Sequence, residues 1–270
     1  MGTIDIPSQN KLPTRFKLNY IFGVWEYPIF YKLGNYFWQR VYKDTKIWKV
    51  TFVISILCGL LVSADLLYSQ EGVGEGVIGR NEFTLVKDSE NVKILLKYAS
   101  SDNFMQENLY GKFTSCYLHK EAYLKFQKAI QLLKSRKSKW KFILYDCLRP
   151  RSVQNRLWEK VKGTDQEPYV ANPEKGSIHN FGFAIDVSLL NESGEQIDMG
   201  TEFDDFTPLA EPTKEEKFIR EGKLTKLQVG NRRILRSILI EAGFTQRPNE
   251  WWHYDAISSQ IVKKRYKIVE

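Results

Sequence analysis

The sequence predicts one α+β domain preceded by an N-terminal membrane or signal segment. Helical and strand-like patterns alternate after residue 81 without the regular repeat of a parallel sheet, so we expect a central, mostly antiparallel sheet flanked by helices. A charge-free run precedes this region. With 43% hydrophobic and 27% charged side chains among 270 residues, the chain has an ordinary core-forming composition. That composition excludes collagen-like, low-complexity and wholly disordered chains.

The net charge of +8 is concentrated near the N-terminus. Residues 1–64 hold eight basic and three acidic side chains, which accounts for +5 and leaves +3 for residues 65–270. The predicted domain has no basic and aromatic stripe of the kind that binds nucleic acid, so we expect no nucleic-acid partner.

Residues 1–49 form a basic, aromatic-rich N-terminal extension. Aromatic rings mixed with cations suit the headgroup region of a bilayer, and a poorly ordered extension is the alternative. Four glycines between Glu71 and Gly79 predict a flexible linker over residues 68–80. The folded domain is therefore expected over residues 81–270.

Residues 50–67 are predicted to be a transmembrane anchor or the apolar region of a signal peptide. The charge-free run Val50–Ala64 has 15 residues, fewer than the roughly 20 of a comfortable span. Small residues before Asp65 suit cleavage after Ala64, although the preceding 49 residues exceed the usual signal-peptide start. Both alternatives keep the basic flank in the cytoplasm and export the domain to the periplasm or another extracytoplasmic space. A core helix of a cytoplasmic protein is the remaining alternative.

The first half of the domain predicts a helix, a strand and a second helix. Apolar residues recur at three- and four-residue steps across Lys120–Lys137, which is typical of an amphipathic helix. Lys141–Leu148 has the character of a strand. Arg149-Pro150 ends that strand, and Pro150 is expected in the first turn of the next helix.

The second half predicts a strand, a helix and an extended run. Phe183–Leu190 alternates, so its polar side chains are expected to face a cavity and its apolar ones the core. Gly230–Ala242 is predicted to be the last helix, with Gly243 as its stop. Trp251–Tyr254 is expected to be a strand or extended segment.

Three residues in this domain have the chemistry of a metal site. His179, Asp186 and His253 make up the ligand set of a hydrolytic zinc centre, whose fourth position stays open for water. Glu250 precedes His253 by three residues and is expected near that open position. There it could accept the proton of a water whose pKa the metal lowers toward about 7. Arg149 could stabilise the negative charge that develops on a substrate carbonyl.

Each of these residues also has an ordinary structural explanation when it is taken alone. A histidine beside aromatic residues is commonly a core residue, and Asp186 and Glu250 could be solvated charges. Arg149 could simply pair with Asp146. The joint order and spacing of these residue types favour the zinc centre.

The same segments resemble the zinc D-alanyl-D-alanine dipeptidases of the VanX type, within the peptidase M15 group. Two motifs are similar to those of the whole group: Ser177-x-His179-x-x-Gly182-x-Ala184-x-Asp186 and Glu250-x-Trp252-His253. Other features are nearer the dipeptidases: Asn103-Phe104, Tyr110, Cys116-Tyr117-Leu118, Asp146-x-x-Arg149-Pro150 and Asp198-Met199-Gly200-Thr201-x-Phe203-Asp204. The resemblance covers about residues 82–260. The N-terminal 80 residues have no counterpart in the compact members of that family.

The resemblance implies a role for each matching residue. His179, Asp186 and His253 would bind one zinc ion. Glu250 would be the general base that later returns a proton to the leaving amine, and Arg149 would stabilise the transition state. Asp204 would hold the free ammonium of the substrate, and Ser177 would line the substrate pocket.

The implied function is zinc-dependent hydrolysis of the D-Ala-D-Ala dipeptide to D-alanine, in peptidoglycan turnover or cell-wall metabolism. A D,D-carboxypeptidase or endopeptidase acting on longer peptidoglycan peptides is one alternative, and a non-catalytic zinc-containing binding module is another. Asp204 favours the dipeptidase, because a carboxylate suits a free ammonium better than the neutral amide of a longer chain. Glu250 and Arg149 favour an enzyme over a binding module.

Three further residues fall outside this set. His119 is expected at a helix start with a structural role. Cys116 and Cys147 could pair in an oxidising compartment, but the sequence does not place their Cα atoms together. The oligomeric state is left open.

Overall fold

The computed structural model describes residue 77 and residues 79–270. The predicted N-terminal extension (1–49) and apolar segment (50–67) lie outside the described residues, as does the linker (68–80) apart from residues 77, 79 and 80. Within the described part, no helix is both long and apolar enough to cross a membrane. The organisation of the N-terminal part stays a prediction.

A five-stranded sheet lies at the centre of the domain. The described residues form these strands: β1 Phe83–Val86, β2 Val92–Ile94, β3 Cys116–His119, β4 Lys141–Asp146, β5 Ala184–Leu190, β6 Thr245–Gln246 and β7 His253–Asp255. The strand order is β2-β4-β5-β7-β6, with β2 parallel to β4 and the other three neighbouring pairs antiparallel. Strands β1 and β3 form a separate antiparallel pair.

Helices surround these sheets in the part of the chain that the structure describes. The α-helices are α1 Lys120–Arg136, α2 Arg151–Val161, α3 Glu215–Arg220, α4 Lys226–Ala242 and α5 Ser259–Arg265. Short 3-10 turns occur at Lys97–Ala99, Glu167–Tyr169, Ile178–Phe181, Pro208–Ala210 and Pro212–Lys214. Helices together with a mostly antiparallel sheet confirm the predicted α+β class.

The amphipathic pattern of α1 is used as predicted. The helix buries Ala122, Phe126, Ala129 and Leu133, which recur at three- and four-residue steps. Phe126 contacts Phe142 of β4, with ring centroids 5.4 Å apart, so α1 covers this part of the sheet. Helix α4 packs against α1 and buries its own apolar residues in the same core.

Helix α4 begins at Lys226, four residues before the predicted start at Gly230. The Thr225 hydroxyl accepts a hydrogen bond from the backbone N–H of Gln228 at 3.1 Å, and the Gln228 side chain accepts one from the N–H of Thr225 at 2.8 Å. This capping box fixes the start of the helix through polar side chains, which apolar periodicity does not detect. Gly243 ends the helix with φ +101, as predicted. Helix α4 was also predicted to be the last helix, which is wrong, because α5 (Ser259–Arg265) follows it.

Strand β5 is buried on both faces. Asp186 lines the main cleft, whereas Ser188 lines a separate hollow beside Tyr145. The polar side chains of this strand were expected to face one cavity, and the structure divides them between two. Ile185 and Val187 lie in the core, as the alternation predicted.

A disulfide joins the two cysteines whose pairing the sequence left open. Cys116 in β3 and Cys147 directly after β4 have Cα atoms 5.4 Å apart. The bond ties the two-stranded sheet to the end of β4. His119 is the N-cap of α1, where it accepts a hydrogen bond from the N–H of Glu121 at 3.3 Å, and its ring stacks on Phe183. Its role is therefore structural, as expected.

Candidate active site

The sheet register brings two of the three predicted metal ligands together. Asp186 of β5 and His253 of β7 are direct partners in an antiparallel ladder, so their side chains leave the same face. His179 comes from the 3-10 turn Ile178–Phe181, which leads into β5. All three side chains are buried.

The turn that carries His179 depends on two neighbouring residues. The Ser177 side chain caps the turn, accepting from the N–H of His179 at 3.4 Å. Gly182 ends it in the left-handed region, with φ +72. A Cβ on Gly182 would lie 2.9 Å from the backbone nitrogen of His119, so a larger residue does not fit without displacing backbone.

The donor atoms of the three side chains form a nearly equilateral triangle. Nε2 of His179 lies 3.1 Å from Nδ1 of His253 and 3.3 Å from Oδ1 of Asp186, and the third side, between His253 Nδ1 and Asp186 Oδ1, is 3.0 Å. Ligands at about 2.0–2.1 Å from a tetrahedral zinc ion would be roughly 3.3 Å apart. The donor set therefore fits an ion of this kind.

Outer hydrogen bonds select the histidine nitrogens that face this triangle. Nδ1 of His179 lies 2.6 Å from the carbonyl oxygen of Cys147, and Nε2 of His253 lies 2.9 Å from a carboxylate oxygen of Asp255. Both acceptors require a protonated nitrogen, so Nε2 of His179 and Nδ1 of His253 present lone pairs. Two lone pairs and the Asp186 carboxylate converge on one point, an arrangement that a cation stabilises.

The pKa values of the same groups agree with a cation-binding site. Burial alone would raise the pKa of Asp186, but His179 and His253 hold it well below its usual range. Burial alone would lower the pKa of His253, but Asp255 and Asp186 outweigh burial and raise that pKa to about 9. The site thus favours positive charge between these side chains.

Glu250 lies beside the triangle rather than in it. Its Oε2 is 3.6 Å from Nδ1 of His253, and its side chain is buried in the wall of the cleft. Burial raises the pKa of Glu250, and the charges of His253 and Arg247 offset part of this rise. Such a carboxylate is a stronger base than an exposed glutamate.

Arg149 is buried at the end of β4 and is held from several sides. Its Nε donates to Asp146 at 2.7 Å, its Nη1 donates to Gln154 at 2.9 Å, and its guanidinium lies 5.0 Å from the ring centroid of Tyr98. Its Nη2 reaches Oδ2 of Asp186 at 3.4 Å. Arg149 therefore pairs with Asp146, as its structural explanation predicts, and also directs a cation toward the cleft.

Asp204 lies in the cleft wall, on the loop before α3. The hydroxyl of Tyr98 donates to Oδ2 of Asp204 at 2.9 Å, and Oδ1 is 3.1 Å away. Asp204 has φ +61, a conformation that a short polar side chain tolerates better than a branched one. Burial, followed by the charge of Asp186, raises the pKa of Asp204 well above its usual range. A cation next to Asp204 would relieve this cost.

A buried arginine of α4 anchors the loop that carries Asp204. Arg232 donates through Nε to the carbonyl of Met199 at 2.6 Å and through Nη1 to that of Leu209 at 2.9 Å. Its guanidinium also lies 5.8 Å from the ring centroid of Trp251, the residue after Glu250. One side chain thus connects the Asp204 loop, α4 and the segment that leads to His253.

The structure brings the predicted site residues into one cleft. Its walls include the triangle residues and Glu250, Arg149, Asp204 and Ser177. The empty volume of the cleft is about 410 Å³ when its open mouth is included. Metal donors, a buried carboxylate and a buried guanidinium in one cleft suit hydrolysis of a polar bond.

Residues 83–270 match the family model of peptidase M15, which is described as D-ala-D-ala dipeptidase. This chain belongs to the peptidase M15 family. It is a metallopeptidase, and the whole cleft lies within the matched region.

Several relatives are similar over most of that region. A D-alanyl-D-alanine dipeptidase of Escherichia coli K12 is 31% identical over 165 residues, which are 61% of this chain and 79% of the relative. A protein of the same name from Enterococcus faecium is 29% identical over 178 residues, which cover 58% of this chain and 82% of the relative. One from Synechocystis is 27% identical over 145 residues, which cover 43% of this chain and 59% of the relative.

Sequence reasoning missed several residues of the site of this M15 peptidase, among them Asp255, Tyr98 and the cleft-lining Arg247. Asp255 follows His253 by two positions on a strand, which puts both on one face, and this period of two was an available signal. Tyr98 is 106 residues from Asp204 in the sequence, and no local pattern connects them. Its contact with Asp204 becomes visible only in the folded chain.

Proposed function

We propose that this M15 peptidase hydrolyses the D-Ala-D-Ala dipeptide with the help of one zinc ion. The observation that carries the proposal is that the His179, Asp186 and His253 triangle lies in the same cleft as two further carboxylates, the buried one of Glu250 and the half-buried one of Asp204. The names of the relatives support D-Ala-D-Ala as the substrate. Two imidazoles and one carboxylate are ligands that zinc favours.

Glu250 has the position and environment of the general base. A bound zinc ion supplies Lewis-acid activation of a water molecule and polarisation of the substrate carbonyl. Glu250 accepts the proton of the attacking water and returns it to the amine that leaves, because its carboxylate adjoins the His253 end of the triangle. Arg149 offers positive charge to the carbonyl oxygen. Its Nη2 lies 3.4 Å from Oδ2 of Asp186, which places this nitrogen within reach of the cleft.

Asp204 would determine the length of the substrate. A free dipeptide has an ammonium group next to the scissile bond, and Asp204 supplies a carboxylate that Tyr98 orients. A longer wall peptide would place a neutral amide there. The carboxylate would then lose its water without gaining a counter-charge.

We also propose that the domain acts outside the cytoplasm, in peptidoglycan metabolism. The Cys116–Cys147 disulfide supports this location, because disulfides persist in oxidising compartments and are rare in the cytosol. The predicted apolar segment and its basic flank point the same way. A reporter fused after residue 80 should lie outside the cytoplasm, and a cytoplasmic reporter would contradict this location.

The substrate proposal is tested by comparing D-Ala-D-Ala with its N-acetylated form on the purified full chain. Acetylation removes the ammonium, so we expect kcat/KM to fall by about 30- to 4,000-fold. Asp204→Asn should reduce the ratio of kcat/KM for the free dipeptide to kcat/KM for the acetylated one. Asp205→Asn is the matched control, since the neighbouring aspartate does not line the cleft.

The alternatives give different results. Equal rates on both substrates would contradict the dipeptidase and favour a carboxypeptidase or endopeptidase that acts on longer peptides. Zinc binding without turnover of either substrate would favour a binding module. A preference that survives in Asp204→Asn would remove Asp204 from substrate recognition while leaving the dipeptidase standing.

A further inference from the structure

Arg247 lies at the end of a row of site residues that crosses the sheet from strand to strand. Asp146 of β4 pairs with Asp186 of β5, which pairs with His253 of β7. The backbone N–H of Arg247, directly after β6, donates to the carbonyl of His253 at 3.1 Å. Directly opposed residues of antiparallel strands place their side chains on the same face, roughly 5 Å apart. Arg247 therefore lies beside His253 on the face that holds the metal donors, and its side chain lines the cleft.

The Arg247 guanidinium is half-buried, and within the described part of the chain it forms neither a hydrogen bond nor an ion pair with another residue. The other arginines of the cleft and its supports differ. Arg149 pairs with Asp146, and Arg232 is held by backbone carbonyls. A guanidinium left without a counter-ion in a cleft wall is suited to bind an anion of a ligand.

Charged side chains of both signs lie near Arg247. Burial, followed by the charges of Arg247 and Lys175, lowers the pKa of Lys263, and the charge of Asp255 opposes this change. The nearby carboxylates of Glu250 and Asp255 feel the charge of Arg247 without forming an ion pair with it. Each of these carboxylates already has a different neighbour in His253. Since neither carboxylate pairs with it, the cleft-lining guanidinium of Arg247 is available to a negatively charged group of a ligand.

Asp204 and Arg247 approach the metal donors from different sides. Asp204 is held by Tyr98, whose ring lies against the guanidinium of Arg149 at the end of β4. Arg247 follows β6, at the opposite edge of the sheet, with β5 and β7 between them. A free dipeptide has an ammonium at one end and a carboxylate at the other. The two charged side chains match these two ends.

We propose that Arg247 binds the C-terminal carboxylate of the substrate and makes the enzyme select peptides that end next to the scissile bond. This inference rests on the proposed function. It adds a specificity-determining residue on the leaving-group side of the scissile bond. Asp204 would bind the ammonium end of the dipeptide and Arg247 its carboxylate end, so the two side chains together select the length of the substrate. The interaction is a charge-assisted hydrogen bond, which a neutral carboxamide cannot replace in full.

The test compares D-Ala-D-Ala with its C-terminal amide, using the full chain loaded with zinc. The parent should prefer the free acid. Arg247→Met keeps the aliphatic stem and removes the cation, so KM for the free acid should rise about 10- to 100-fold while kcat stays within about threefold. KM for the amide should change less than about threefold.

Two further variants control for general damage. Arg247→Lys keeps a cation and should retain a preference for the free acid. Arg233→Met is the matched control, because Arg233 pairs with Glu216 away from the cleft, and it should leave both KM values unchanged. Zinc content and the unfolding temperature of each variant are measured alongside.

Binding without turnover gives a separate readout. In a Glu250→Gln background, calorimetry should show that Arg247→Met weakens D-Ala-D-Ala binding by a similar factor and leaves binding of the amide unchanged. A parent that hydrolyses the free acid and the amide equally well would overturn the role of Arg247, and so would equal KM shifts in Arg247→Met. A parent that hydrolyses neither would instead overturn the proposed function.

Discussion

Each histidine of the candidate metal site uses one ring nitrogen for an outer partner, which leaves the other nitrogen for the metal. For His253 that partner is Asp255, which lies 2.9 Å from Nε2 and also raises the pKa of the imidazole. Outer partners of this kind orient the ring and increase its basicity as a ligand. Asp255 and the Cys147 carbonyl therefore set which ring nitrogen of each histidine faces the metal position.

Asp255→Asn should weaken zinc binding by about 10- to 100-fold, because the neutral amide orients the His253 ring less firmly and adds no charge. Competition with a chromogenic chelator measures the affinity. Asp102→Asn is the control, since Asp102 pairs with Lys97 at an exposed position. Equal affinities of the Asp255 variant and the parent would show that the hydrogen bond does not position the ligand.

Glu250→Gln should retain zinc and lose at least about 100-fold in kcat. The amide is nearly isosteric but cannot accept a proton, whereas the metal donors stay intact. Zinc content and D-alanine release, measured on the same preparation, separate binding from chemistry. Loss of zinc in this variant would instead mean that Glu250 is a metal ligand.

At the scale of single residues, the sequence predicted the groups that lie in the two motifs. His179 and Asp186 are close in the chain, and their spacing carries the information. Tyr98 and Arg247 could not be predicted in the same way. Tyr98 meets Asp204 across 106 residues, and the place of Arg247 depends on the register between β6 and β7.

At the scale of elements, the turn between His179 and Asp186 depends on Gly182. Gly182→Ala should lower the free energy of unfolding by about 2–5 kcal/mol, because a left-handed backbone acts together with close contacts to the His119 backbone and the Phe83 ring. Gly194→Ala is a matched control with φ +81 and open space around it, and should cost only about 1–2 kcal/mol. Denaturant unfolding measures both, and equal losses would show that the contact with His119 is unimportant.

The periodic elements were predicted well, and their ends less well. The predicted helix Lys120–Lys137 differs by only one residue from the observed Lys120–Arg136, because its buried apolar residues recur from Ala122 to Leu133 and so span most of its length. Helix α4 was predicted to start at Gly230, four residues too late. Its first turn from Lys226 is specified by the capping side chains of Thr225 and Gln228. Capping residues are polar, so a search for apolar periodicity passes over them.

At the scale of the whole molecule, the disulfide connects two parts of the fold and affects the site. Cys147 contributes both a sulfur to the bond and the carbonyl that holds His179. Replacing Cys116 and Cys147 by serine should lower the free energy of unfolding by about 3–4 kcal/mol, from the loss of a cross-link between residues 31 positions apart. Unfolding with and without reductant measures this loss.

A thiol titration in denaturant provides the control for this prediction. The uncleaved chain has three cysteines, so it should show one free thiol, that of Cys58, before reduction and three after it. Cleavage after Ala64 would remove Cys58 and change these numbers to none and two. Free thiols of both Cys116 and Cys147 before reduction, in protein taken from its native compartment, would contradict the disulfide and the support that it gives to export.

The sheet order was beyond what the sequence could establish. The local patterns predicted strands and helices, but the row from Asp146 through Asp186 and His253 to Arg247 arises from pairing between distant segments. Such pairing is set by tertiary packing rather than by neighbouring residues. Residue chemistry, spacing and the family resemblance predicted the metal ligands, whereas their outer partners are visible only in the fold.

The central claim is that His179, Asp186 and His253 hold one zinc ion that enables hydrolysis of D-Ala-D-Ala. The most direct measurement is a zinc titration of the chelator-stripped full chain, with D-alanine release from D-Ala-D-Ala as the readout. Activity should be absent without metal, rise linearly with added zinc and stop rising at one equivalent. Full activity in the stripped protein would contradict this claim. So would a His253→Ala variant whose activity rises with zinc in the same way as that of the parent.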